Sequence, residues 1–323
     1  MKQELVRAKL PAAAGVPGVY ADLRDLIALQ HRARGFSFLP RQPLQSLLSG
    51  RHASRMRGRG LDFDEIRQYL PGDDIRNIDW NVTARTGKTH TRVFTEERDR
   101  PALLLVDQRI AMFWGTEHAM KSVIAAEVAA LAAWRVVDQG DRVGALVFDD
   151  EDIVEIRPQR SRDTVMQILR TIVDKNHALH AGAGTKSNPA MLTRVLRAAA
   201  RLAHHDALVA VISDFDGADD EAAKVVQRLN HTGDVICALV HDPSALALPE
   251  DGRVVVSDGD LQVEVEGQGA RRLASFSKGR IERVLDWQRR PGVPVLAVST
   301  AEPAAGQLRR MLGAAPRPTG GGR

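Results

Sequence analysis

Residues 102–115 read ALLLVDQRIAMFWG and are the most informative part of the chain. An unbroken apolar run ends in Asp107, and a helix-forming segment starts soon afterwards. A strand buried on both faces of a parallel sheet has this pattern, and its carboxyl end opens onto a binding crevice. A second apolar run, at residues 207–213, leads into Asp214. The two runs predict adjacent parallel strands that bring both carboxylates to one edge of a sheet.

Helical and strand-like patterns alternate through residues 101–313, which predicts an α/β fold with a doubly wound, mostly parallel sheet. Within it, residues 142–148 and 153–156 are predicted to form two antiparallel strands around a tight turn. Residues 1–100 are predicted to form a smaller N-terminal region, helical and extended, that holds a basic arm and an acidic turn. Residues 314–323 are rich in Gly and Pro and are predicted to be disordered.

The composition of the chain sets limits on its class. At 323 residues and 44% hydrophobic composition, the chain can bury a sizeable core. Its single cysteine, Cys237, excludes an intramolecular disulfide framework. The longest apolar stretch, residues 124–137, contains Glu127 and Arg135 and is too short and too charged to span a bilayer. The N-terminus lacks the apolar core of a signal peptide. These features predict a cytoplasmic protein without a transmembrane segment.

Positive charge is concentrated at the N-terminus. Residues 1–60 hold 11 lysines and arginines against 3 acids, a net charge of +8. Residues 26–60 could therefore bind nucleic acid or an acidic membrane surface, and this alternative stays open. However, their arginines lack the interleaved aromatic side chains on which bases would stack. We therefore predict that nucleic acid is not a partner, and that the arm packs against the acidic residues 61–79 or against the sheet domain.

Residues 58–101 (GRGLDFDEIRQYLPGDDIRNIDWNVTARTGKTHTRVFTEERDRP) resemble the DUF58 family of bacterial proteins. The resemblance extends over nearly the whole chain and is most specific in residues 65–80. Members of this family have a von Willebrand A-like domain and are typically encoded beside MoxR-type AAA+ ATPases. The resemblance implies a metal-ion-dependent adhesion site at the carboxyl edge of the sheet. No enzymatic activity is established for the family as a class.

That adhesion site normally reads Asp-x-Ser-x-Ser at the first strand, with a Thr and an Asp supplied later. Here Asp107 is kept, but Arg109 and Ala111 stand where the two serines should be. Thr185 and Asp214 match the later ligands. Mg²⁺ needs six oxygen ligands in near-octahedral geometry, and a guanidinium adds a fixed positive charge among them. We therefore predict a degenerate site without a metal or other cofactor, in which Arg109 pairs with Asp107 or Asp214 and occupies the place of the cation.

The sequence predicts a non-enzymatic protein-interaction module that presents the carboxyl edge of its sheet, around Asp107, Arg109, Thr185 and Asp214, to a protein partner. Residues 86–89 (TGKT) imitate the end of a phosphate-binding loop but lack its upstream glycine, and the chain has no Gly-x-Ser-x-Gly motif. The family resemblance implies a MoxR-type AAA+ ATPase as partner, with this chain as an adaptor in assembling or activating other protein complexes and with an unknown client protein. The alternative at the same edge is a cation-dependent adhesion module with a working Mg²⁺ site at Asp107, Thr185 and Asp214.

The family motif at residues 65–80 has two interpretations. Its acids and arginines could satisfy one another and brace the segment, or the motif could be a docking surface for the partner ATPase. The residues concerned are Arg67, Tyr69, Gly72, Asp73, Asp74, Arg76, Asp79 and Trp80. Just before the acidic turn, Asp62 and Glu65 resemble a capping box and predict a short helix that ends at Tyr69. Residues 89–95 alternate as a strand does.

Overall fold

The computed structural model describes residues 17–34, 61–96, 101–180, 186–203, 205–244, 254–257, 262–265, 268–289 and 292–313. These residues belong to two compact units. We call residues 17–34 and 101–313 the sheet unit, and residues 61–96 the small unit. The predicted disordered tail and most of the predicted basic arm lie outside the described residues.

The secondary structure alternates along the sheet unit as the sequence predicts. The described residues contain the strands β1 (Leu61–Gln68), β2 (His90–Glu96), β3 (Ala102–Asp107), β4 (Val143–Phe148), β5 (Ile153–Gln159), β6 (Leu208–Ser213), β7 (Asp234–His241), β8 (Val254–Ser257), β9 (Gln262–Val265) and β10 (Val295–Ser299). The α-helices are α1 (Leu23–Ala28), α2 (Trp80–Thr86), α3 (Lys121–Asp138), α4 (Arg162–Ala178), α5 (Ala190–Leu202), α6 (Asp220–Thr232), α7 (Gln268–Arg289) and α8 (Ala304–Leu312).

The central sheet has the strand order β10-β7-β6-β3-β4-β5. All neighbours in it are parallel except β4 and β5, which are antiparallel. Strands β3 and β6 lie side by side, with Leu105 opposite Val211. The structure thus confirms the predicted α/β class, the antiparallel pair, and the parallel adjacency of the two apolar strands.

Helices cover both faces of the sheet, which explains why its central strands β3 and β6 are buried at every position. Leu104 packs in a core cluster with α3, α4 and α8, whereas its neighbour Leu105 packs with α5, α6 and α7 on the other face. Helix α3 is the centre of the first layer, with 14 of its 18 residues buried. Among the described residues, no helix is long and apolar enough to span a bilayer.

The described residues 17–34 belong to the sheet unit, although the sequence analysis placed them in a separate N-terminal region of residues 1–100. The reason is apolar packing, because Leu26, Leu29 and Ala33 are buried in the core cluster that contains α3. The Trp134 indole N–H also donates to the Leu26 carbonyl at 3.2 Å. The predicted arm therefore begins, over residues 26–34, as part of the folded sheet unit.

A buried amide side chain, Asn176, also fixes this N-terminal segment. Its Oδ1 accepts a hydrogen bond from the Ala21 N–H at 2.7 Å. Its Nδ2 donates to Gln108 Oε1 at 2.9 Å, and the Gln108 side chain donates in turn to the Ser122 carbonyl at 3.0 Å. Asn176 thus connects the end of α4 with the segment before α1 and with the loop after β3.

In the small unit, β1 and β2 form an antiparallel pair with an irregularity between Phe63 and Glu65. The predicted helix from Asp62 to Tyr69 is therefore wrong. The capping-box pattern reflects only neighbouring residues in the sequence. The strand forms because the backbone of β1 pairs with β2 along its whole length. The predicted strand at residues 89–95 is confirmed as β2, and α2 is a helix that the sequence analysis did not predict.

Candidate functional site

The candidate site lies where β3 and β6 end. Asp107 is the last residue of β3, and Asp214 directly follows β6. Because the strands are adjacent and parallel, both carboxylates lie at the same edge of the sheet, as predicted. The Ser213 hydroxyl donates to Asp107 Oδ2 at 2.6 Å and so connects the two strand ends. Both aspartates are buried, with 0% and 1% of their surface exposed.

The Arg109 guanidinium lies between these two carboxylates. Its Nη2 is 2.7 Å from Asp107 Oδ2, and its Nε donates to Asp107 Oδ1 at 3.0 Å. The same Nη2 is 4.0 Å from Asp214 Oδ1. Burial lowers the pKa of Arg109, but the charge and hydrogen bonds of Asp107, with the charge of Asp214, outweigh it and raise the pKa above its usual range. Arg109 is therefore a permanent, fully buried cation.

The remaining donors of Arg109 point at backbone oxygens. Its two terminal nitrogens donate at 3.0–3.4 Å to three carbonyl groups, those of Asn188, Pro189 and Asp216. The guanidinium also lies over the Phe148 ring, 5.5 Å from its centroid. A charge this deep in the protein is stable only when its hydrogen-bonding groups are satisfied, and here both the carboxylate and the loop carbonyls satisfy them.

Two further cations hold Asp214, and the sequence analysis identified neither. Lys121 Nζ at the start of α3 is 2.5 Å from Asp214 Oδ2, and Arg280 Nη1 of α7 is 3.2 Å from the same atom. Arg280 is also 3.6 Å from Asp216 Oδ1. Burial raises the pKa of Asp214, but the charges of Lys121, Arg280 and Arg109 outweigh it and hold the pKa well below its usual range.

Asp216 completes a cluster of three carboxylates and three cations. Its pKa is raised, first by burial and then by the negative charge of Asp214. We call this group the ion cluster, and its members are Asp107, Asp214, Asp216, Arg109, Lys121 and Arg280. The formal charges cancel within it. A buried cluster that is neutral as a whole avoids the large desolvation cost of an isolated charge.

Asp150 anchors the loops around the ion cluster. Its carboxylate accepts hydrogen bonds from the Ile110 N–H at 2.6 Å and from the Asn188 N–H at 2.7 Å. Ala111, the second position where the family has serine, lies half-buried in the short 3-10 turn Ile110–Met112. Thr185 lies outside the described residues, so its predicted place at this edge stays a prediction.

The described side chains of this edge do not fit a Mg²⁺ ion. Asp107 already accepts hydrogen bonds from Arg109 and Ser213, and Asp214 accepts them from Lys121 and Arg280. A divalent ion would need these same carboxylate oxygens and would be repelled by the three cations. Elsewhere too, no group of three His, Cys, Asp or Glu side chains among the described residues is arranged to hold a metal.

The family motif of the small unit is braced by its own charged side chains. Arg67 donates from both terminal nitrogens to Asp73, each at 2.8 Å. Asp74 caps the 3-10 turn Ile75–Asn77 by accepting from the Arg76 N–H at 3.0 Å. Gly72 has φ +109°, a backbone conformation that favours glycine.

Asp79 caps the helix that follows the motif. Its Oδ1 accepts from the second and third N–H groups of α2, and its Oδ2 accepts from Arg92 Nε at 2.8 Å. These backbone and arginine hydrogen bonds lower the pKa of Asp79. Tyr69 is half-buried, whereas the Trp80 side chain lies outside with 69% of the residue exposed. The predicted internal bracing is therefore present, but it does not include Trp80.

Comparisons with known proteins agree with the family resemblance. A family model described as "Protein of unknown function DUF58" matches residues 65–280, more than half of the chain. Uncharacterized proteins of Mycobacterium bovis and Mycobacterium tuberculosis are 27% identical over 303 residues, which is 92% of this chain and 92% of each relative.

Solved structures are similar at lower identity. A conserved hypothetical protein BatB from Bacteroides thetaiotaomicron has a TM-score of 0.40 at 13% identity, over 64% of this chain and 93% of that one. A von Willebrand factor type A protein from Catenulispora acidiphila has a TM-score of 0.31 at 13% identity, over 69% of this chain and 44% of that one. From the extent of the family match, the chain belongs to the DUF58 family.

Proposed function

We propose that this protein is a non-enzymatic interaction module that acts as an adaptor of a MoxR-type AAA+ ATPase in assembling or activating other protein complexes. The observation that supports this function is the ion cluster at the carboxyl edge of the sheet. At the edge where open α/β sheets usually bind ligands, the carboxylates at the ends of β3 and β6 are already bound to the chain's own cations.

Asp214 of the ion cluster is a poor candidate for catalysis. A general acid or base works best with a pKa near the operating pH, whereas the pKa of Asp214 is held well below its usual range by its cationic neighbours. Cys237 is no better as a nucleophile, because burial raises the pKa of its thiol. These properties favour binding over chemistry.

The residues of the ion cluster do not themselves offer a contact surface. Asp107 and Arg109 are fully buried, so the sequence-based idea that their side chains face a partner needs correction. In our proposal the ion cluster instead makes the loops at the sheet edge rigid, and the contact is made by exposed residues elsewhere. The association with a MoxR-type ATPase rests on the family resemblance.

Binding of the purified protein to the MoxR-type ATPase encoded beside it tests the proposal directly. We expect saturable binding in calorimetry that differs between the ATP-bound and nucleotide-free ATPase. The absence of binding in both nucleotide states would reject the adaptor role.

Parallel titrations separate the two alternatives. Stoichiometric Mg²⁺ binding at micromolar concentration, without the ATPase, would instead favour a cation-dependent adhesion module. Binding to DNA or to anionic vesicles that weakens steeply with salt would favour a role for residues 26–60.

A further inference from the structure

Three large apolar side chains of the small unit lie on the outside. Leu70, Ile75 and Trp80 are 50%, 67% and 69% exposed. Among residues 66–92, whose side chains the structure describes, the buried residues are the polar Asp79 and Thr91. Two-stranded sheets need an apolar face packed against something to be stable. In the described part of this unit, hydrogen bonds and ion pairs stabilise the fold, and these three apolar side chains remain exposed to solvent.

Leu70 and Ile75 lie on a segment that is fixed at both ends, and Trp80 opens α2 directly after it. The Tyr69 N–H donates to the Thr89 carbonyl at 2.9 Å, and the Asp79 N–H donates to the His90 carbonyl at 2.9 Å. Both ends of residues 70–78 are thus attached to one short stretch at the start of β2. The exposure of these side chains is therefore a property of an ordered loop. Exposed apolar clusters on ordered surfaces mark interaction sites, and tryptophan is enriched among residues that dominate binding energy.

The charges around this loop favour an acidic partner. The three aspartates of the motif are each paired with an arginine: Asp73 with Arg67, Asp74 with Arg76, and Asp79 with Arg92. Arg85, in the last turn of α2, and Lys88, just after α2, are exposed. No carboxylate described in this unit pairs with either of them. After this pairing, the described surface around the end of α2 retains positive charge.

We propose that Leu70, Ile75, Trp80, Arg85 and Lys88 form a docking surface for an acidic, amphipathic segment of another protein. Apolar side chains of that segment cover the three apolar residues, and its carboxylates face Arg85 and Lys88. A protein segment suits this surface better than a membrane or a nucleic acid, because the two cations Arg85 and Lys88 are fewer than the about four to eight basic residues, or the several phosphate contacts, on which those ligands usually depend. This site is independent of whether the partner is an ATPase.

Selection from a phage-displayed library of random peptides, with the full-length protein as bait, tests the docking surface. We expect the enriched peptides to combine Leu, Ile or Phe with Asp or Glu. Their affinity should fall by about tenfold or more in Trp80→Ala, as for a typical binding hot spot. The double variant Arg85→Glu/Lys88→Glu should lose them as well, and their binding to the wild type should weaken with salt. Met311→Ala, which shortens an exposed apolar side chain of the sheet unit, is the matched control and should bind normally.

Several outcomes would overturn this inference. One is a selection whose peptides bind Trp80→Ala as well as wild type or whose consensus is basic. Another is binding to phosphatidylserine vesicles, or to single-stranded DNA, that Trp80→Ala weakens. A concentration-dependent dimer that Trp80→Ala dissociates would assign the surface to a second copy of the chain. Circular dichroism checks that each variant keeps the wild-type secondary structure, which is expected because the replaced side chains are exposed.

Discussion

Arg109 shows how much a single side chain contributes when it is charged and fully buried. Removing one partner of a buried ion pair leaves the other charge without compensation. We expect Arg109→Ala to lower the free energy of unfolding by about 3–5 kcal/mol at pH 7, because Asp107 loses its cation and keeps only hydrogen bonds from the Ser213 hydroxyl and the backbone N–H of residue 109. Urea denaturation measures this change.

A surface pair provides the control for that experiment. Arg310 pairs with Glu302, and both side chains are about half exposed. Arg310→Ala should therefore change stability by no more than about 1 kcal/mol. Equal effects of Arg109→Ala and Arg310→Ala would show that the Arg109 pair contributes no more than a solvated contact.

Asp216 allows a prediction of the opposite sign. Its pKa is raised in the folded protein, by burial and by Asp214, so its ionisation opposes folding. Below the unfolded pKa of this carboxyl, near 3.8, the group is protonated in both states and does not lower the free energy of unfolding. As the pH rises through the higher folded pKa, the free energy of unfolding decreases. Asp216→Asn should therefore stabilise the protein at pH 7, and this gain should disappear as the pH falls below about 4. Unfolding free energies measured from pH 3 to pH 8 test it, and a loss of stability at pH 7 would show that the Asp216–Arg280 pair dominates.

Residues of the ion cluster differed in how well the sequence predicted them. Asp107, Arg109 and Asp214 could be placed because each lies at or just after the end of an apolar strand run. Lys121 and Arg280 could not, because they reach the edge from the start of one helix and from another helix far along the chain. A lysine that opens a long apolar helix was the available signal for Lys121. No local pattern distinguishes Arg280 from the other arginines of its helix.

At the scale of elements, Asn176 attaches the segment before α1 to the end of α4. Asn176→Ala removes the acceptor of the Ala21 N–H and the donor to Gln108. We expect a loss of about 1–3 kcal/mol and faster hydrogen exchange at Ala21, because buried polar groups are left without partners. Thr171→Ala, on an exposed part of the same helix, is the control. Unchanged exchange at Ala21 would mean that the apolar contacts of Leu26 and Leu29 hold the segment by themselves.

The elements also show where a sequence pattern is sufficient to predict the secondary structure. Strands β3 and β6 are apolar at every position before their last residue because both faces are covered, so their own residues carry the signal. Strand β1 was mistaken for a helix because its capping-box residues lie close together in sequence, whereas its partner strand lies beyond an intervening loop and helix. Helix α2 was missed because the buried group at its start is a capping carboxylate, and its tryptophan faces outwards.

At the scale of the whole molecule, the ion cluster predicts how stability responds to Mg²⁺. A ligand stabilises a protein only by binding its folded state, so Mg²⁺ should not raise the melting temperature of the wild type. Replacing Arg109 and Ala111 by serine restores the hydroxyls of the adhesion motif but leaves Lys121 on Asp214. We therefore expect weak Mg²⁺ binding in this double variant and tighter binding when Lys121→Ala is added, provided that Thr185 reaches the site. Differential scanning calorimetry with and without Mg²⁺ measures both, and a magnesium-dependent rise in the wild type would contradict the prediction.

The position of Arg109 has a consequence for how such a protein can be regulated. A metal ion can leave its site, exchange for another ion, or be absent when the cell is starved of it. The guanidinium of Arg109 is part of the polypeptide, so the charge at the sheet edge is set at translation and remains for the lifetime of the molecule. A change in ion supply therefore leaves the charge of Arg109 in place. We expect switching of this protein to act on other surfaces, through a partner or a chemical modification.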